Sequence, residues 1–315
     1  GKYIAKVFKG ERTLTDFMNP VEKFFFRVCG INPTESMNWK QFLKTMLTIN
    51  MLWLVYAFFL LIFQHKLPLN PDGNPGQTPD LAFNTAISFL VNCNLQHYSG
   101  ESGLTYFTQL FVITFLQFVS AATGIAVLVG LLNAFKEKTT ESLGNFWNYF
   151  VKSVTRILLP LSIVVAVILA FNGTPTSFDG KDTISTLQGD TVQVSRGPAA
   201  GMIAIKQLGT NGGGWFGVNS SHPLENPNYI TNAVETISIL LIPIALVFAL
   251  GFYINRKKLA HVIFAVMTFL FVIFCAINIY YETKGNPAID QLGIAQTTGS
   301  MEGKEVRLGA AATAL

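Results

Sequence analysis

The stretch Gly209-Thr210-Asn211-Gly212-Gly213-Gly214-Trp215-Phe216-Gly217-Val218-Asn219-Ser220-Ser221-His222-Pro223 decides how this chain is read. It lies between long apolar runs, yet it is too polar and too rich in glycine to span a bilayer. Four of its first six residues are Gly. Glycine tolerates positive φ and lets backbone approach a ligand closely. In an apolar chain such backbone survives only where protein buries it or where it lines a water-filled cavity. Two readings follow: a re-entrant or external loop that holds no ion, or a row of carbonyls facing a cation path.

The surrounding composition favours a membrane setting. The chain has 315 residues, of which 50% are hydrophobic and 13% charged, with 27 Phe. Soluble domains carry about 25% charged residues. Here the charges gather at the N-terminus and in short loops, which leaves long uncharged windows, the pattern of a polytopic membrane protein. The net charge of +4 is modest, and topology explains most Lys and Arg, so no nucleic-acid partner is expected. Cys29, Cys93 and Cys275 are scattered, with no metal-ligand spacing and no disulfide framework. No apolar signal-peptide region follows Lys2.

Working outward, the order of elements repeats. Residues 1–44 form a basic segment with interleaved Phe8, Phe17, Phe24, Phe25 and Phe26. It is either an amphipathic structure lying on lipid or a connector to the first span. A first unit, 45–135, holds a span (Met46 to Phe63), a Pro-rich loop, a short segment (Leu81 to Leu90) capped by Asp80, a polar stretch, and a span (Ser102 to Phe135). Ten residues cannot cross a hydrocarbon core of about 30 Å. A second unit, 136–255, holds a span (Trp147 to Phe171), a polar loop (172–197), a short helix (Ala199 to Leu208), the opening stretch, and a span (Thr236 to Asn255). Ala86-Ile87-Ser88-Phe89-Leu90 matches Ala204-Ile205-Lys206-Gln207-Leu208 at three of five positions, which sets Asn92-Cys93-Asn94 opposite Thr210-Asn211-Gly212. A third unit, 256–315, begins with the uncharged run Leu259 to Tyr281 and reaches a short helix at Gly309 to Leu315, before any third polar stretch.

The fold class expected is an all-α polytopic membrane protein with five spans and re-entrant short helices, two complete units and the start of a third. Positive residues up to Lys44, at Lys136 and Lys138, and at Arg256–Lys258 place those segments in the cytoplasm. The short helices then re-enter from outside.

A short helix that returns through irregular backbone is a pore helix with a filter limb. Neutral carbonyls suit a large monovalent cation, whereas divalent ions usually take carboxylates. Neither limb carries a carboxylate before Gln96 or Phe216. Glu101 and Glu225 follow the limbs and are expected at the outer mouth, where they either concentrate cations or are merely solvated. His97 and His222 are expected to be structural hydrogen-bonders. Lys206, Lys152 and Arg156 are expected to snorkel. No Lys-Ser or Lys-Thr follows the glycines, so the P-loop pattern is absent. No catalytic constellation stands out, so enzyme activity within this chain and an organic cofactor are not expected.

Residues 92–101 (Asn-x-Asn-x-Gln-x-Tyr-Ser-Gly-Glu), Gly209-Thr210-Asn211-Gly212-Gly213-Gly214 and Asn219-Ser220-Ser221-His222-Pro223-x-Glu225-Asn226-Pro227 resemble the potassium-channel-like A subunit family of the bacterial Kdp potassium-pumping ATPase. Met37-Asn38-Trp39-Lys40-Gln41, Leu67-Pro68-Leu69-Asn70-Pro71 and Met301-Glu302-Gly303-Lys304-Glu305 look like the same family. The resemblance implies four span–pore helix–span repeats around one filter, in the bacterial inner membrane, with lipid as its surroundings. It implies K⁺ as the bound and transported ion, a P-type ATPase subunit that hydrolyses ATP, and small accessory membrane subunits. It implies filter positions at Asn92, Cys93, Asn94 and Gln96, and at Thr210, Asn211, Gly212 and Gly213, with Gly214 beside them. Cys93 and Trp215 depart from the usual Thr and Phe. The family also has a further span before residue 1 and filters and spans after 315, so the chain is expected to be a piece of that subunit that does not close a filter alone. The other transport reading is an independent Trk/Ktr-like channel or gradient-driven transporter. A non-transporting scaffold is the third.

Overall fold

A computed structural model describes residues 1–93, 95–136, 141–300 and 307–314. Asn94, Lys138, the motif at 301–305 and Leu315 lie outside the described residues. Among those described, five helices are long and apolar enough to cross a membrane. They are α3 (Trp39–Ile62), α5 (Tyr106–Lys136), α6 (Phe146–Phe171), α8 (Tyr229–Tyr253) and α9, whose regular helix covers Lys257–Lys284. Short helices α4 (Pro79–Leu90) and α7 (Ala199–Leu208) precede the two polar stretches. The chain is therefore an all-α polytopic membrane protein. It divides into two compact units, Gly1–Asn255 and Arg256–Leu315.

Four of the five spans, α9 being the exception, start where a side chain can replace the missing helical acceptor. Asn38 accepts from Gln41 N at 3.0 Å while Gln41 Oε1 accepts from Asn38 N at 2.9 Å, a reciprocal cap on α3. Asn145 caps α6 through Asn148 N at 3.0 Å. Asn228 caps α8 through Ile230 N and Thr231 N, and Thr231 Oγ1 accepts from Asn228 N. That cap moves the start of α8 upstream of Thr236, to Tyr229, so Glu235 lies inside the helix rather than at its edge. On α4 the cap position is Thr78, and Asp80 sits in the first turn rather than capping it.

Two spans carry a wide turn. In α6, residues Ser153–Leu158 are π-helical, just before Pro160. Proline offers no N–H and clashes with the carbonyl four residues back. That carbonyl, of Arg156, instead accepts from the Tyr3 hydroxyl at 2.9 Å. In α5 the π turn is Gln109–Thr114, where Thr114 Oγ1 donates to Gln109 O at 2.8 Å. Single π turns inside helices recur at functional sites.

α5 is the most enclosed span, with 61% of its apolar window buried against 11% for α3. Its Val112, Ile113, Leu116 and Ala122 are buried in a core shared with Phe89 of α4 and with Met202, Ile203 and Ile205 of α7. The N-terminal segment is partly protein-packed. α1 (Lys2–Lys9) buries Ile4, Ala5, Val7 and Phe8, with Phe8 edge-on to Tyr149 at 5.9 Å and Lys9 Nζ donating to Phe252 O at 2.9 Å. Its amphipathicity thus serves packing against the bundle. α2 (Asn19–Val28), by contrast, leaves Phe24 and Phe25 exposed.

The 172–197 loop holds a hairpin absent from the sequence expectation. β1 (Asp182–Ser185) pairs antiparallel with β2 (Thr191–Val194), Asp182 opposite Val194. In the C-terminal unit, α10 (Gly309–Ala314) packs on α9, and Asn278 Nδ2 donates to Ala314 O at 2.9 Å.

Candidate ion filter

The ends of α4 and α7 are built alike. Val91 N donates to Ile87 O at 3.0 Å and Cys93 N to Ser88 O at 2.8 Å. Gly209 N donates to Ile205 O at 2.7 Å and Asn211 N to Lys206 O at 3.1 Å. This paired closure needs a left-handed residue just beyond the helix. Asn92 supplies it at φ 59° and Thr210 at φ 55°. Asn is tolerated there, but a β-branched Thr is strained by about 1–3 kcal/mol, and such strain concentrates at functional backbone.

The limb beyond Thr210 alternates in handedness. Thr210 and Gly212 have positive φ (55° and 88°), whereas Asn211 and Gly213 do not. Alternating φ signs are the backbone pattern that a limb needs if successive carbonyls are to face one side. Among the described residues, the carbonyl oxygens of Thr210, Asn211 and Gly212 accept no hydrogen bond. The next two are occupied: Gly213 O accepts from Gln117 Nε2 at 2.9 Å, and Gly214 O from Gln96 Nε2 at 3.4 Å. A side chain at Gly213 is excluded, since a Cβ there would lie 2.6 Å from the buried Phe89 ring.

The structure brings the two limbs together. Asn211 Nδ2 donates to Asn92 Oδ1 at 3.2 Å, and Asn92 Nδ2 to Gly209 O at 3.0 Å. Gln96 Oε1 accepts from Gly214 N at 3.2 Å, and Glu101 Oε2 from Gly217 N at 2.8 Å. Gln96 and Gly214 are 118 residues apart, the same offset as Asn92 and Thr210. The Cys93 carbonyl accepts from Ser88 Oγ at 3.0 Å, which ties it back to its own helix.

Three helper residues were not singled out from sequence: Gln109, Gln117 and Ser120, all on α5. Gln109 Nε2 donates to Trp215 O at 3.3 Å, and Ser120 Oγ to Asn92 Oδ1 at 3.0 Å. The signal existed, because polar side chains inside an apolar span mark function by default.

Two expectations about charge fail. Glu225 is fully buried rather than solvated at a mouth, and Lys206 is 1% exposed rather than snorkelling. They form an ion pair with each other behind the second limb. Arg156 does not snorkel either. It forms a two-pronged pair with Glu22 (2.6 and 2.7 Å) and reaches Asp16 at 2.9 Å, because α2 folds back against the start of α6. Of the histidines, His222 stacks on Phe216 at 3.8 Å and its Nδ1 accepts from Leu224 N at 3.1 Å, a structural role.

Below the limbs lies a cavity of about 490 Å³, lined by Asn92, Ser120, Thr123, Thr210 and Pro243 among others. Both α4 and α7 end on it, through Leu90 and Leu208. Helix C-termini carry partial negative charge and favour a cation. Among the described residues no cluster of His, Cys, Asp or Glu has metal-binding geometry. The arrangement offers backbone oxygens and helix ends.

Residues 1–315 match the family described as KdpA, the potassium-transporting ATPase A subunit. The chain is 64% identical over 315 residues to the potassium-transporting ATPase potassium-binding subunit of Bacteroides thetaiotaomicron, covering all of this chain and 56% of that protein. It is 63% identical over 312 residues to the subunit of the same name from Flavobacterium johnsoniae, covering 99% of this chain and 54% of that one. Over 316 residues it is 44% identical to that of Rhodospirillum centenum, covering all of this chain and 55% of its relative. The chain thus spans about half the length of the curated relatives it matches. A match from the first residue to the last, over the same limbs that carry the geometry above, means that the chain belongs to the KdpA family.

Proposed function

We propose that this chain is part of the potassium-binding, potassium-translocating subunit of an ATP-driven uptake complex. K⁺ is selected at the carbonyls of Thr210, Asn211 and Gly212, with Asn92, Cys93, Asn94 and Gln96 as the filter positions of the first unit, and enters the cavity below. A partner P-type ATPase subunit hydrolyses ATP, small accessory membrane subunits complete the assembly, and this chain is non-catalytic. The complex sits in the bacterial inner membrane among lipid, with residues 1–44 cytoplasmic and the limbs reached from outside. Two limbs supply half of a ring of about four contributors, and units 45–135 and 136–255 are two of its repeats.

The observation that carries this reading is the run of unpartnered carbonyls at alternating φ from Thr210 to Gly212. Thr210 is exposed and Gly212 half-buried, and neutral backbone oxygens that meet no protein donor are free to replace part of a cation's water shell. The names of the relatives supply the ion. In the complete complex, Gly212→Asp puts a side chain and a charge into the limb. K⁺ uptake at low external K⁺ should fall and selectivity should relax, whereas unchanged uptake contradicts the reading.

A further inference from the structure

The ion pair behind the second limb belongs to a larger buried cluster. Lys206 stands in the last turn of α7, Glu225 at the far end of the limb, and Glu235 in the second turn of α8. Their exposures are 1%, 0% and 3%. Lys206 Nζ pairs with Glu225, lies 3.9 Å from Glu235 Oε2, and donates to Ser220 Oγ at 2.6 Å. Ser220 Oγ donates to Glu235 Oε2 at 2.7 Å, which also accepts from Gln207 Nε2 at 2.6 Å. One network thus fastens the short helix, the limb and the span to each other.

The network also touches the limb backbone. Glu225 Oε2 accepts from Phe216 N at 3.4 Å. A Cβ on Gly214 would run into Asn219 Oδ1 and lie 2.7 and 2.9 Å from the two oxygens of Glu225, so both side chains pack closely against the chain two residues beyond Gly212. The first unit does this differently. Its residue opposite Lys206 is Ser88, whose hydroxyl reaches the Cys93 carbonyl without any charge. Desolvating three charged groups is a poor route to stability, since apolar residues of equal volume often hold a fold as well or better. What charged hydrogen bonds provide in addition is fixed, short geometry.

We propose that Lys206 and Glu225, braced by Ser220 and Glu235, are positioning residues for ion selection. They set the path of the 212–217 backbone, and through it which monovalent cation the carbonyls upstream of it coordinate. The inference rests on the filter reading above.

The test uses the complete complex in vesicles and reads ATP hydrolysis driven by K⁺, Rb⁺ or Na⁺. The triple change Lys206→Met, Glu225→Gln and Glu235→Gln removes all three charges, so no carboxylate is left without its cation. Apparent K⁺ affinity should fall about tenfold or more, as displaced reacting groups do. Discrimination against Rb⁺ and Na⁺ should narrow, while the maximal rate at saturating K⁺ stays within about twofold, the mark of an effect on binding alone. Unchanged affinity and ion ratios, or a loss confined to the maximal rate, overturn the proposal. If that variant does not assemble, Glu225→Asp decides: it keeps all three charges but draws the carboxylate back from the limb backbone, and a narrowed ion ratio supports the proposal whereas an unchanged one overturns it. Gly212→Asp runs alongside. If it shifts affinity and the cluster variants do not, only the positioning role is lost; if it too has no effect, the filter reading falls with it.

Discussion

The limbs after α4 and α7 start alike and are then held in opposite ways. Each leaves its helix through a left-handed residue, Asn92 or Thr210, with matching backbone hydrogen bonds. From there the first limb leans on the second: Gln96 holds Gly214, Asn92 holds Gly209 and Asn211, and Glu101 holds Gly217. The second limb is held from behind, by Gln109 and Gln117 of α5 and by the Lys206–Glu225–Glu235 cluster. The second limb is therefore the more firmly anchored in the bundle; the first is tied to it only near its start, by Ser120 at Asn92 and Ser88 at Cys93, and leans on the second beyond that. Damage to the anchored limb should disable both, whereas damage to the leaning limb should be partly tolerated.

The largest effect should come from Gly213→Val. Its side chain meets the Phe89 ring, itself fully buried, so the anchored limb must move. Misplacement of about 1 Å costs on the order of a hundredfold in rate, and K⁺-stimulated ATP hydrolysis at low K⁺ should fall accordingly. If Gly213→Val keeps its activity, the anchored limb is not what the comparison says. Next is Arg156→Ala, which lies away from both limbs. It strands the Glu22 carboxylate, and losing one partner of a buried pair costs about 3–5 kcal/mol. Thermal unfolding should shift down while ion ratios stay as they are, so a changed ratio would blur the distinction between filter and frame. Gln96→Ala, on the leaning limb, removes two hydrogen bonds to Gly214. At about 1.4 kcal/mol this is a tenfold loss of apparent K⁺ affinity, less than for Gly213→Val, and a larger loss would reverse which limb leans.

The smallest effect concerns pH and the frame alone. Burial pushes the Glu22 carboxyl up, but hydrogen bonds from Arg156 and Thr155 and the Arg156 charge outweigh it and hold it below its ordinary 4.5. A depressed folded value gives stability that is present above the unfolded one and lost as pH falls through the folded one. Detergent-solubilised complex should therefore lose thermal stability on acidification below about pH 4.5, and Glu22→Gln should flatten that limb. An acid limb unaltered by Glu22→Gln would remove the pair from the frame.

Much of this architecture was legible in the chain. Uncharged windows mark spans because lipid excludes charge, and Ala-Ile-x-x-Leu recurring before Asn92 and Thr210 placed the two limbs opposite each other. Less visible were partners brought together by folding. Lys206 and Glu225 are 19 residues apart, and nothing local says that a carboxylate after a glycine loop will be buried against an ammonium. Glu235 falls just outside the span expected from Thr236, whereas the cap at Asn228, seven residues earlier in the chain, starts the helix at Tyr229 and takes it in. The π turn before Pro160 follows from proline chemistry, but its rescue by the Tyr3 hydroxyl depends on where the N-terminus packs.

The central claim is that carbonyls of the anchored limb bind the transported ion. Anomalous diffraction from the complete complex soaked in Rb⁺ or Tl⁺ tests it most directly. The account predicts a peak in coordination contact with the carbonyl oxygens of Thr210 and Gly212. Ordered Rb⁺ or Tl⁺ elsewhere in the complex, with no peak beside Gly212, would contradict it.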